Sequence, residues 1–172
     1  VINEIMYHPI SESDEDEYIE IHNRSAGTVN LGNWRLQGGV DYTFPSTAIV
    51  AAGGYVVVAE NVTNLLAKYA QLNSGNTFGN YEGTLRNSGE RIALAMPEDL
   101  VSTNAQGRVT TNIFYIAVDE VTYGEGGRWG KWSDGGGSSL ELMDPDADGR
   151  LAANWGDSDE STKAAWTTID VT

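Results

Sequence analysis

The chain has 172 residues, 10 basic and 25 acidic, with a formal net charge of −15, 40% apolar content and no cysteine. That length and apolar content suffice for one domain around a single core. The charge disfavours nucleic acid and anionic membrane surfaces as partners, and the missing thiols exclude disulfides, zinc–thiolate sites and cysteine nucleophiles.

The first predicted strand runs through Ile2, Asn3, Glu4, Ile5, Met6 and Tyr7. Strict alternation puts Ile2, Glu4 and Met6 on one face and Ile5 and Tyr7 on the other. An acidic loop follows at 11–17, where Glu12, Asp14, Glu15, Asp16 and Glu17 repel one another unless neutralised. Water and counterions serve most such runs, and this one lacks the alternate-position spacing of an oxygen-ligand cation loop. In the next strand, 17–23, Ile19 and Ile21 face a core while Tyr18, Glu20 and His22 face away.

Further strands are expected at 34–37, 40–44, 55–59, 91–96, 112–123, 139–143 and 167–171, separated by Gly, Asn and Ser. One short helix interrupts them, since Val62, Leu65, Leu66 and Tyr69 recur at helical spacing with Asn61 or Thr63 as cap. It is expected to lie across one end of the strand layers. Residues 73–82, rich in Asn and Gly, read as a surface loop, and Asn87, Ser88, Gly89 and Glu90 form a turn in which glycine takes positive φ. No stretch is long enough to span a membrane, and the start at Val1 without a signal peptide suggests a single domain, 1–172, excised from a longer multidomain protein.

Taken in order, the two opening strands, then Ser25, Ala26 and Gly27, the run from Val29 to Leu36, Tyr42 to Pro45, and Ala52 to Ala59 resemble the lamin tail domain family in its bacterial branch. The resemblance resumes at Asp119 to Gly124 and at Gly137 to Leu142. It implies an all-β, immunoglobulin-like β-sandwich and a non-catalytic interaction or attachment module in a secreted or cell-surface protein, joined covalently to other domains. A spacer positioning a neighbouring catalytic domain is the alternative. Animal members associate with chromatin, a role the acidic charge argues against. The sequence departs from the family's shorter form at 97–118, where a long excursion, Pro97 to Ile116, replaces a tight hairpin.

Four groups of residues carry potential chemistry. Asp144, Asp146 and Asp148 before Gly149 have the spacing that gathers three carboxylates around a hard cation such as Ca2+, with Asp157 and Asp159 as helpers. The twelfth position of that loop is Trp155 rather than an acid, and a solvated aspartate turn explains the same spacing. Tyr123, Trp129 and Trp132, around a glycine-rich stretch at 124–137, form either an aromatic platform for a sugar or peptide ligand or a seal over the sandwich end. Glu4 and Glu20 have the residue type for glycoside hydrolysis, but paired strand carboxylates more often anchor loops. No catalytic residue is assigned: His8 and His22 lack a nucleophile elbow, and Gly124 and Gly126 lack the third glycine of a dinucleotide site.

Overall fold

A computed structural model describes residues 1–159. The strand expected at 167–171 lies outside them. In chain order the strands are β1 (Ile2–Met6), β2 (Tyr18–His22), β3 (Val29–Asn30), β4 (Arg35–Gly38), β5 (Val40–Thr43), β6 (Ile49–Val50) and β7 (Tyr55–Ala59). After helix α1 (Val62–Lys68) come β8 (Thr77–Gly79), β9 (Glu82–Gly83), β10 (Arg91–Thr103), β11 (Val109–Thr122), β12 (Leu140–Leu142) and β13 (Trp155–Asp157). They build an immunoglobulin-like sandwich of a six-stranded sheet, β13-β12-β1-β2-β7-β8, and a five-stranded sheet, β11-β10-β4-β5-β9, with β3 and β6 paired separately. No helix among the described residues is long and apolar enough to cross a membrane.

The core lies between the sheets. Ile5, Ile19, Ile21, Val56, Val58 and Leu140 from the first sheet meet Leu36, Val40, Ile92, Leu94 and Val121 from the second. The alternation of β2 is as the sequence predicts. That of β1 is not, because Ile2 pairs with Ile21 and Glu4 with Glu20, leaving Asn3 as an extra residue in a bulge. The bulge resets the period, so Ile2 joins Ile5 and Tyr7 in the core while Glu4 and Met6 turn to the outer face.

That outer face corrects two expectations. Helix α1 lies on it rather than across one end: Leu65 packs with Met6, Tyr18, Val57 and Ala59, flanked by Val62, Tyr69 and Leu72. The continuous run Val56, Val57, Val58 and Ala59 belongs to a strand buried on both faces. The Asn61 side chain caps the helix by accepting from Asn64 N at 3.1 Å. Residues 73–82 are not all loop either, since Thr77–Gly79 adds β8 in parallel to β7. The turn before β10 forms as expected. Gly89 has φ +99°, and a Cβ there would press on the Tyr123 carbonyl.

The excursion is regular. Strands β10 and β11 pair without a break from Ala95 opposite Ala117 to Thr103 opposite Val109, turning at 104–108. Beyond Ala95, β10 has no partner but β11 among the described residues, because β4 stops there. The two strands therefore leave the sandwich as a ribbon.

Candidate functional site

In the acidic loop Asp16 is paired with Lys68 of α1. A short 3-10 turn, Asp14–Asp16, points Asp16 at Lys68, Asn64 and Ser11. Burial raises the Asp16 pKa, but these three hydrogen bonds outweigh it and hold the carboxyl below its ordinary range. The loop is thereby fastened to α1, and Asn64 Nδ2 adds a bond to the Glu15 carbonyl at 2.9 Å. Glu17, at its end, is 1% exposed, and one of its oxygens accepts from the Tyr81 hydroxyl and from Leu85 N, both at 2.9 Å. Its acid neighbours in sequence gave no sign of this burial.

At the far side of β1, His8 Nδ1 sits 2.6 Å from Asp134 and Nε2 lies 3.3 Å from Glu12. Burial lowers the imidazole pKa, but hydrogen bonds to Asp134 and Glu12 together carry it above the ordinary histidine value. The imidazole is a clasp between the acidic loop and the glycine-rich stretch. Asp157, on β13, holds the same stretch by accepting from Lys131, Trp132 and Ser133 backbone N–H groups at 3.1, 2.8 and 2.7 Å. The expected calcium helper thus caps loop amides. His22 lies stacked on Tyr55, ring centroids 4.2 Å apart.

The three aromatic residues do not form one face. Tyr123 is buried against Tyr7, ring centroids 4.7 Å apart, and its hydroxyl donates to the Arg86 carbonyl at 2.9 Å. Trp129 is half-buried and tilts against Trp155 at 6.5 Å. Both seal the sandwich. Trp132 alone remains open, with the Lys131 ammonium 5.8 Å above its ring.

The aspartate loop has the geometry of a turn. Asp144 Oδ1 accepts from Asp146 N and its carbonyl from Ala147 N, each at 2.9 Å. Asp148 grips the Arg150 guanidinium through both oxygens at 3.0 Å, which holds its pKa below the carboxylate norm, and Asp146 faces Arg24 at 3.5 Å. Asp146 and Asp148 line a polar depression of about 480 Å3 with Arg24, Arg150, Asp119 and Glu120. Asp159 is exposed. Among the described residues no three His, Cys, Asp or Glu side chains are grouped to hold a metal ion. We therefore expect the same melting temperature in excess calcium and in excess chelator. A rise with calcium that Asp146→Asn abolishes would show an ion at this loop.

Glu4 and Glu20 stand opposite each other on β1 and β2, with Glu141 of β12 opposite Glu4 on the other side. Glu4 Oε1 accepts from the Tyr18 hydroxyl at 2.6 Å and from Ser139 Oγ, and Glu20 accepts from Asn3 Nδ2 at 3.0 Å. The cleft they line with Tyr18, Leu65, Tyr69 and Leu72 measures about 100 Å3. Pockets for organic ligands begin at roughly 300 Å3. These contacts fit an anchoring role, with β1 tied to β2 and to the chain before β12.

Among the described residues the ribbon carries the largest group of exposed large apolar side chains. Leu100, Val101, Val109, Ile113, Phe114, Ile116 and Val118 are 44% to 61% exposed. Paired positions divide them between two faces, with Val109, Ile113 and Val101 on one and Leu100, Phe114 and Ile116 on the other. Each face thus carries a stripe of neighbouring apolar side chains rather than single scattered ones. At the ribbon's base Arg35 stacks 4.0 Å over the Tyr115 ring, the one aromatic contact that ties it to the sandwich among the described residues. Sequence reading located the excursion but missed this surface. The signal was there in the run from Val109 to Val118, which holds no charge, glycine or proline.

A family model described as Lamin Tail Domain matches residues 1–159. Among curated proteins none matches the chain.

Proposed function

The chain belongs to the lamin tail domain family, whose members carry an immunoglobulin-like module, and from that premise we propose that it is a non-catalytic interaction module whose contact surface is the β10–β11 ribbon. The supporting observation is the two-faced apolar ribbon itself, since a strongly acidic soluble domain otherwise keeps such side chains covered. We place the module in a secreted or surface-attached bacterial protein, linked to other domains, with a protein rather than a nucleic acid as its ligand. The anchored glutamates and the small cleft beside them support a role without catalysis.

A photo-reactive amino acid placed at Phe114 or at Trp132 in the full-length protein tests this reading. Adducts from position 114 but not from position 132 are the expected result. Adducts from 132 alone would move the contact to the glycine-rich end, where a sugar or peptide would stack on the indole. Adducts from neither would leave a spacer.

A further inference from the structure

The ribbon has an edge as well as faces. Among the described residues strand β11 is the last strand of the five-stranded sheet, so from Val109 to Ala117 every second residue turns a backbone N–H and C=O outward with no strand beside it. Sheet proteins usually guard such an edge with lysine, proline, a bulge or a covering segment. Here the bulge lies at the base of the edge strand itself, at Val118, where Leu94 faces Asp119 but Ala95 faces Ala117, and residues 109–117 run regularly and without charge. Nothing among the described residues covers that edge.

We infer that β11 pairs antiparallel, edge to edge, with β11 of a second copy of this chain, about a two-fold axis at Ile113 or Phe114. The inference rests on the ribbon being the contact surface and names its partner.

Two features single out a second copy. The first is charge: at −15 per chain, most contacts between copies would oppose carboxylates, whereas an uncharged strand laid against itself opposes none. The second is the placing of the charges that flank it. Arg108 precedes the stretch and Asp119 and Glu120 follow it, so an antiparallel alignment carries the basic end of each copy to the acidic end of the other.

Two-fold symmetry normal to the sheet keeps each face on its own side. Directly opposed residues must share a face, so the residue on the axis meets its own counterpart. Such pairing closes after two copies and leaves no free β11 edge.

Sedimentation of the purified chain is expected to show a monomer–dimer equilibrium in the micromolar range. Ile113→Lys and Phe114→Lys, one on each face, are expected to raise the dissociation constant at least about tenfold. Each substitution lowers the net negative charge, so a change in overall repulsion between copies would act in the opposite direction. The chain has no cysteine, so single cysteines introduced at 111–116 report the pairing directly: one position near the axis is expected to give a disulfide-linked dimer on oxidation, and Ser74→Cys none. A chain that stays monomeric at every concentration, a dimer indifferent to both lysines, or open-ended assembly would each overturn the inference. Its failure is separable from that of the function, because adducts from position 114 to a different protein would leave the contact surface standing and exclude a second copy.

Discussion

Glu17→Gln is expected to raise the melting temperature at pH 8 and to leave it unchanged at pH 5. Burial pushes the Glu17 carboxyl up to about 7, helped by the charges of Asp14 and Glu60 and opposed by the bonds from Leu85 N and the Tyr81 hydroxyl. The folded pKa thus lies above the unfolded one. Between about pH 4.5 and 7 the native chain holds a proton that the unfolded chain releases, so stability is fully present below that window and is lost as pH rises through it. The loss by pH 8 is on the order of 3 kcal/mol, or several degrees in a domain of this size.

Glutamine keeps an acceptor for Tyr81 and Leu85 but cannot ionise, which flattens that slope. Glu17→Leu is expected to destabilise by about 2–4 kcal/mol at pH 5, because the buried Leu85 N–H and Tyr81 hydroxyl lose their acceptor, and the deficit is expected to shrink as pH rises because leucine cannot ionise either. The two variants therefore separate charge from hydrogen bonding. Thermal melts from pH 5 to 8 decide it, and a wild-type stability that is flat or rises with pH would show that Glu17 is ionised throughout.

The second large effect is expected at Asn23, just after β2. Its Nδ2 donates to the carbonyls of Gly27, Val50 and Ala51 at 2.8, 3.1 and 2.9 Å, and its Oδ1 accepts from Ser25 N and Ser25 Oγ at 3.0 and 2.7 Å. Its backbone also exchanges hydrogen bonds with Gly53 and Gly54. One buried amide thus joins the turn after β2 to the chain entering β7. Asn23→Asp changes almost no volume but faces a carboxylate against three carbonyl oxygens, at an expected loss of at least about 3 kcal/mol at pH 7. Asn23→Ala, which removes the bonds without adding a charge, is expected to fall between wild type and Asn23→Asp. Part of the aspartate's loss is expected to return on acidification, when the side chain regains a donor. Equal urea midpoints for wild type and Asn23→Asp would show that these bonds are not maintained in solution.

Much of the architecture follows from local pattern. Ile19 and Ile21 alternate with polar neighbours, and that period of two is enough to orient β2. Asn61 caps the helix through an atom three residues from its partner, and Gly89 turns where positive φ is required. Such signals need only neighbours in the chain, so composition and spacing carry them, as does the ordered resemblance to the family. The candidate ligands were harder to read. Asp144, Asp146 and Asp148 share the spacing of a cation loop, but Arg24, far away in sequence, and Arg150 decide how two of them are used.

What only the tertiary structure decided depends on distant partners. The bulge at Asn3 exists because β1 must match the register of β2, and it reverses the facing of Ile2 relative to Glu4. Helix α1 chose the outer face of a sheet whose apolar patch comes from β1, β2 and β7 together. Glu17 is buried by residues more than sixty positions away, Tyr81 and Leu85, although it ends an acidic run that looks fully solvated. Alternation states which side chains share a face; it does not state what covers that face. The sequence by itself therefore determined the sandwich and most of its strands, while long-range packing decided which surfaces closed and left the β10–β11 ribbon open.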